Sequence, residues 1–296
     1  MRIQHNISAM NSYRQLNTNN SAMGKNLEKL SSGYRINRAG DDAAGLAISE
    51  KMRAQIKGLE TAQKNANDAI SLVQTAEGAL TEVHSMLNRM SELATQAANG
   101  TYTNSETTAN GGDNKGTAAD TKKIELEIKQ LTEEIDRIAK STNFNGITLL
   151  HGDMEDGRMM QIGAEAKSFD QLKITIGKMD AETLGVKNND ATKDVAQMLA
   201  KGQSSAMNAI ATIKTAINTV SETRARLGAW QNRLEHTINN LGVTNENITA
   251  AESRIRDTDM ASEMMAFTKN NILNQAAQSM LAQANQVPQG VLQLLQ

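Results

Sequence analysis

The chain has 296 residues and a formal net charge of −2, the length of one large domain or two ordinary ones, with no charge excess calling for nucleic acid or an anionic membrane. It has no cysteine, which excludes disulfides, thiol catalysis and cysteine-ligated metals. Aromatic residues are 2% of the total, and the apolar content rests on Ala, Leu, Ile and Met beside a single proline, a composition that suits long helices.

The start, MRIQHNISAM, has no apolar core of signal-peptide length and no small-residue cleavage site, so no cleaved secretion signal is expected. No window approaches the ~18 apolar residues of a membrane span. On these grounds alone the chain reads as cytoplasmic, unless it leaves by a route that needs no cleaved signal.

The first element is a helix with a 4-3 seam through Ala9, Tyr13, Leu16, Asn20, Met23, Leu27, Leu30 and Tyr34. SSGYRINRAGDDAAG (31–45) breaks it with three glycines and a charge cluster. Gly40 and Gly45 allow a close or positive-φ backbone there, and the paired acids Asp41 and Asp42 read as first-turn residues of the next helix. That helix, about 45–99, has one seam through Met52, Ile56, Leu59, Gln63, Ala66, Ile70 and Val73. A second seam follows through Ala76, Leu80, Val83, Leu87, Met90, Ala94 and Ala97, so one register shift is expected between Val73 and Ala76. Residues 99–119 are polar, carry two Asn-Gly pairs and read as an exposed loop. A helix at about 120–140 uses Ile124, Ile128, Leu131, Ile135 and Ile138.

Residues 143–177 change character. ITLL (147–150), RMMQI (158–162) and LKITI (172–176) read as short strands, with HGDMEDG (151–157) turning between the first two. His151, Asp153, Glu155 and Asp156 could be tried as metal ligands, but a solvated turn recruits Asp and Gly in the same way and is the preferred reading. The stretch 187–205 is polar. A helix at about 205–255 then keeps one seam through Ala206, Ile210, Ile213, Ile217, Val220, Arg224, Leu227, Gln231, Leu234, Ile238, Leu241, Asn245, Ile248, Glu252 and Ile255. Its polar members Arg224, Gln231, Asn245 and Glu252 either set a register or mark a seam partly open to solvent. The last helix takes Leu273, Ala277, Met280, Ala284, Val287, Val291 and Leu294, across a stretch (274–296) with no charged side chain. Pro288 falls inside this pattern and predicts a bend more than a stop.

A fifty-residue helix is ~75 Å long and cannot bury its seam against itself. The expected fold is mainly α: a coiled-coil or helical-bundle rod, a small β-hairpin region at the far end, and both termini together in a helical coiled-coil layer. No catalytic constellation accompanies it. The four histidines are scattered, and no HExxH, GxGxxG or GxxxxGK[ST] motif is present. The expectation is a non-enzyme with no cofactor and no metal.

Seven stretches carry a family resemblance: MRIQHNISAMNSYRQL (1–16), LEKLSSGYRINRAGDDAAGLAISEKMRAQI (27–56), EGAL and LNRMSELATQAANGT within 77–101, EEIDRIAKSTNFNGITLL (133–150), RARLGAWQNRLEHTINNL (224–241), AESRIRDTDMASEM (251–264) and LAQANQVPQGVLQLL (281–295). Together they resemble bacterial flagellin. Hook–filament junction proteins share parts of the terminal pattern with a lower density of matches.

The resemblance implies a structural subunit of the flagellar filament, serving swimming motility. It implies export, unfolded, through the flagellar type III apparatus, and so an extracellular place in the flagellum without a cleaved signal peptide. It implies an inner terminal coiled-coil layer of 1–34 with 265–296, spoke linkers at 35–44 and 256–264, and an outer rod domain at 45–255. The interval 177–205 is too short for the outer domains of larger flagellins, so a minimal form with no further variable domains is expected. Implied partners are further copies of the chain, an export chaperone, cap and hook-associated proteins, and a host Toll-like innate receptor; no nucleic acid and no membrane is among them. The inner layer would assemble through Ala9, Tyr13, Leu16, Met23, Leu27 and Leu30 with Leu273, Ala277, Met280, Ala284, Val287, Val291 and Leu294. The receptor contact would use Arg89 and Leu93, which match the family motif in LNRMSELATQ, with Glu127 in IELEIKQL. Ser91 stands where the family motif has a second Arg.

Overall fold

The computed structural model describes residues 6–99, 119–188, 194–200 and 203–294, with side chains followed as far as Gln286. The expected loop at 99–119 lies largely outside the described residues, as do the side chains of Val287, Val291 and Leu294. The elements in chain order are α1 (Ile7–Ser32), α2 (Ala43–Ala97), α3 (Ala119–Ser141), β1 (Asn143–Phe144), β2 (Ile147–Thr148), β3 (Arg158–Gln161), β4 (Gln171–Ile174), α4 (Val195–Ala200), α5 (Gln203–Arg256) and α6 (Met260–Leu294). The fold is mainly α, as expected, with two small antiparallel sheets. The chain divides into two compact units, one of residues 1–57 with 244–296 and one of residues 58–243.

The unit of residues 58–243 holds the large hydrophobic cluster. Along α2 the buried positions are Leu59, Ala62, Ala66, Ala69, Val73, Ala76, Leu80, Val83, Leu87, Met90, Ala94 and Ala97, joined by Leu72 and Leu93. This is one unbroken alternation of three and four, so the expected register shift does not occur. The sequence pattern points to Gln63 and the bulky Ile70, whereas the structure buries Ala62 and Ala69 one residue earlier. The same substitution recurs on α5, where Ala209 and Ala216 are buried and Ile210 and Ile217 only pack against the cluster. A small residue lets neighbouring elements approach closely, while an adjacent isoleucine fills the flank of the same seam. Bulk alone therefore misplaces a seam by one residue.

Arg224, Gln231, Asn245 and Glu252 are all half-buried, which fits a seam partly open to solvent. Arg224 reaches Glu77 at 3.9 Å, and Gln231 bonds Glu235 on its own helix at 3.1 Å.

The strand pairing differs from the expectation. β2 pairs with β1 across Asn145-Gly146, and β3 pairs with β4, so ITLL and RMMQI sit in different sheets. Asn145 (φ 50°) and Gly146 (φ 78°) are both left-handed, the geometry that makes a two-residue hairpin turn, and it closes before Asp153 is reached. HGDMEDG is still a turn, anchored by the fully buried Met154, whose carbonyl accepts from the Ile176 and Gly157 amides. The polar stretch 187–205 also needs correction. It contains α4, which buries Val195, Ala196 and Leu199. Its apolar residues are too few to stand out as a period, and their partners lie far away in sequence on α3. Asp136 on α3 helps hold this region: it accepts from the Ala181 amide at 2.9 Å and from Lys187 Nζ at 2.7 Å.

Candidate functional site

The unit of residues 1–57 with 244–296 contains the two terminal helices. Asn6 caps α1 by accepting the Ala9 amide at 3.1 Å, and Gly33 (φ 75°) ends it by donating to the Lys29 carbonyl. Side-chain contacts set α1 and α6 antiparallel. Asn6 donates to the Ala284 carbonyl at 2.7 Å, and Asn274 donates to Asn20. Asn26, with its amide turned to satisfy its neighbours, bonds Glu263 at 2.9 Å and Asn270 at 3.0 Å.

The inward face of each helix follows the expected period, but half of its members are shifted. On α1 the less exposed positions include Ala9, Ser12, Leu16, Asn19, Met23, Asn26 and Leu30. On α6 they include Phe267, Asn270, Asn274, Ala277, Leu281 and Ala284. Ala9, Leu16, Met23, Leu30, Ala277 and Ala284 thus sit where the sequence places them. Tyr13 (57% exposed), Leu27 (57%), Leu273 (41%) and Met280 (63%) do not: each stands exposed one residue from a seam member, Ser12, Asn26, Asn274 and Leu281 in turn. Ser12, Asn19, Asn26, Asn270 and Asn274 escape a search that follows apolar residues. The sequence seam admits Asn20, which is exposed, where the structure buries Asn19 one residue earlier; the signal that finds them is a second 4-3 series offset by one residue, with polar residues in alternate places.

Asn19 and Asn274 are the buried polar residues of this pair. Of the two, Asn274 is tied to α1 by the bond that its amide nitrogen donates to Asn20. Outside the seam the pair exposes Ile7, Met10, Tyr13 and Leu27 on α1, and Met264, Met265, Ile272, Leu273 and Met280 on α6. Exposed apolar patches of this kind are uncommon on proteins that have no partner.

Where α1 gives way to α2, two chain segments are stitched by backbone. Tyr34 and Asp257 form an antiparallel bridge, the Arg35 amide donates to the Arg256 carbonyl at 2.7 Å, and the Thr258 amide donates to the Gly33 carbonyl at 2.9 Å. The Arg256 guanidinium stacks 4.8 Å from the Tyr34 ring and bonds Glu50 at 2.6 Å, which holds the Glu50 carboxyl below the usual range. Asp41 and Asp42 precede the first turn of α2. Asp42 accepts the Gly45 amide as a cap, and Asp41 accepts the amides of Arg38 and Asn37, which lower its pKa. Gly45 answers a close approach, since an added Cβ would meet the Asp42 carboxylate and Ile36 Cδ1. Gly40 has open space around it.

Arg89 and Glu127 are brought together on the surface: Arg89 Nε bonds Glu127 at 2.9 Å and Nη1 bonds Glu92 at 3.2 Å, and these carboxylates raise the guanidinium pKa. Leu93 is placed differently. It is 2% exposed and belongs to the hydrophobic cluster. A polar cavity of about 290 Å³ lies between Asp136, His151, Lys178, Asp180 and Lys187. Burial would raise the Asp180 carboxyl, but hydrogen bonds from Lys178 and Thr183 outweigh it and hold the group below its ordinary range. Among the described residues, no group of three or more His, Asp or Glu side chains is arranged to hold a metal ion.

Two family models match the chain: the bacterial flagellin N-terminal helical region over residues 3–155 and the bacterial flagellin C-terminal helical region over residues 210–295. The chain belongs to the bacterial flagellin family. It is 53% identical to a flagellin of Bacillus subtilis, with all of both chains covered. It is 45% identical to a flagellar filament 30.7 kDa core protein of Treponema maltophilum, again with all of both covered. Among solved structures, it resembles a Bacillus cereus flagellin at 30% identity and a TM-score of 0.46, over 60% of this chain and 88% of that one. The two model matches include the described parts of both terminal helices, so the antiparallel pair lies within the segments that define the family.

Proposed function

We infer that this flagellin is a structural subunit that polymerises into the bacterial flagellar filament, and that α1 and α6 are the elements through which copies join. Family membership supports the first part. The observation that carries the second is the exposure of Tyr13 and Leu27 on α1 and of Leu273 and Met280 on α6, each beside a seam already closed within the chain. Further copies could cover these residues and remove their apolar surface from water, at about 25 cal/mol per Å². The family is a structural one, which fits a mechanical, non-enzymatic role. Export without a cleaved signal, an extracellular filament, and a chaperone, cap and hook-associated partners belong to the same proposal. So does the partition into a terminal layer (1–34 with 265–296), spokes (35–44 and 256–264) and a rod domain (45–255).

Removing residues 274–296 and examining the product by electron microscopy tests the reading. Loss of filaments is the expected result, and normal filaments from the shortened chain would refute it. For recognition by a host innate receptor, the exposed Arg89–Glu127 pair is the supporting feature. Leu93 would contribute there by packing beneath the surface.

A further inference from the structure

Pro288 is the single proline of the chain, and α6 runs through it to Leu294. A proline has no backbone N–H, so the carbonyl four residues earlier loses its helical partner. That carbonyl belongs to Ala284, a buried residue of the seam. It is the acceptor that Asn6 Nδ2 reaches at 2.7 Å. The other end of the same amide is committed as well, since Asn6 Oδ1 accepts the Ala9 amide and caps α1. The cap fixes which way the amide faces and aims its N–H at the carbonyl that Pro288 leaves free.

We propose that Asn6 is the positioning residue for closure of the terminal helices, its side chain replacing the donor that Pro288 removes from Ala284. The two residues work as a pair 282 positions apart, 288 minus 6. A proline in the body of a helix usually leaves one acceptor short. Here that acceptor becomes a docking point that only the start of α1 fills. An unmatched carbonyl inside a seam is costly, so α6 closes best when Asn6 is opposite Ala284, and slipped pairings of α1 on α6 leave it unsatisfied. The inference rests on the filament reading, because closure of α1 on α6 is then the step that readies a subunit for assembly.

A double-mutant cycle on the full-length chain tests it. Asn6→Ser keeps a good cap but is too short to reach Ala284. Pro288→Ala restores an N–H four residues after Ala284. The critical concentration for polymerisation is measured by sedimentation for the parent, both single variants and the double variant. If a variant does not nucleate, its dissociation rate from seeds of parent filament is read instead. With Pro288 present, Asn6→Ser raises the critical concentration about fivefold, the scale of one hydrogen bond to a buried acceptor. In the Pro288→Ala background the same change costs less than twofold. An equal loss in both backgrounds would reduce Asn6 to a helix cap and overturn the proposal. A parent chain that forms no filament would instead refute the function proposed above, so the two failures are distinct.

Discussion

The two units use the same 4-3 repeat to opposite ends. In residues 58–243 the repeat is closed but for half-buried Arg224 and Gln231: Leu80, Val83, Leu87 and Met90 on α2 and Ile213, Val220, Leu227 and Leu234 on α5 are fully buried in one cluster. In residues 1–57 with 244–296 it is half open. α1 and α6 bury Asn19, Asn274 and Ala284, while Tyr13, Leu27 and Met280 stay exposed. Periodicity therefore reports that a helix has a partner face, and the occupant of that face can lie in the same chain or in another. The closed unit reads as a finished core, the half-open one as one face of an interface.

Leu87→Ala should show the largest effect. It opens a cavity in the closed core and should lower monomer stability by about 2–5 kcal/mol in urea melts followed by circular dichroism. Leu27→Ala is the matched change in the open unit. It should leave the monomer melt within about 0.5 kcal/mol of the parent, as surface substitutions do, while raising the critical concentration for polymerisation about tenfold, near 1.4 kcal/mol. If Leu27→Ala destabilised the monomer as much as Leu87→Ala, the two units would not differ in the way described.

A smaller effect separates polar from apolar stabilisation inside the closed unit. The Asp180 carboxyl has a lowered pKa, so its contribution is present above the pKa of the unfolded chain and is lost as pH falls through the lower folded value. Asp180→Asn should therefore cost about 1 kcal/mol at neutral pH, the order of a lost hydrogen bond. The difference between variant and parent should shrink once acid protonates the parent. A gap that stays constant through the whole acid limb of the titration would contradict the assignment. Arg89→Ala should have the smallest effect, leaving the melting temperature unchanged because the pair it breaks with Glu127 is exposed. A reduced response of cells bearing the host receptor would then isolate recognition from stability.

Much of this molecule is legible in its sequence. The six helices of the described residues include five with clear periods, and the one without, α4, is six residues long. The errors share a cause. Bulk assigns Ile70, Ile217, Tyr13, Leu27 and Leu273 to seam centres, yet the centres hold Ala69, Ala216, Ser12, Asn26 and Asn274. Close helix approach favours small side chains and hydrogen-bonded amides at the contact line, with larger apolar groups on its flanks. No local signal distinguishes centre from flank when the two differ by one residue. Strand pairing is misread for a related reason. The ITLL and RMMQI runs are each plausible strands, but their partners are chosen by turns, and Asn145-Gly146 acts first.

The sequence by itself determined the helical class, the family, and the capacity of the terminal segments to form a partnered face. Spacing, composition and motif are all local properties of the chain, and those features depend on nothing else. The tertiary structure decided which residues of each period meet inside the chain and which remain exposed. It also decided that Asn6 lies against Ala284, because a hydrogen bond across 278 residues depends on where two helices come to rest.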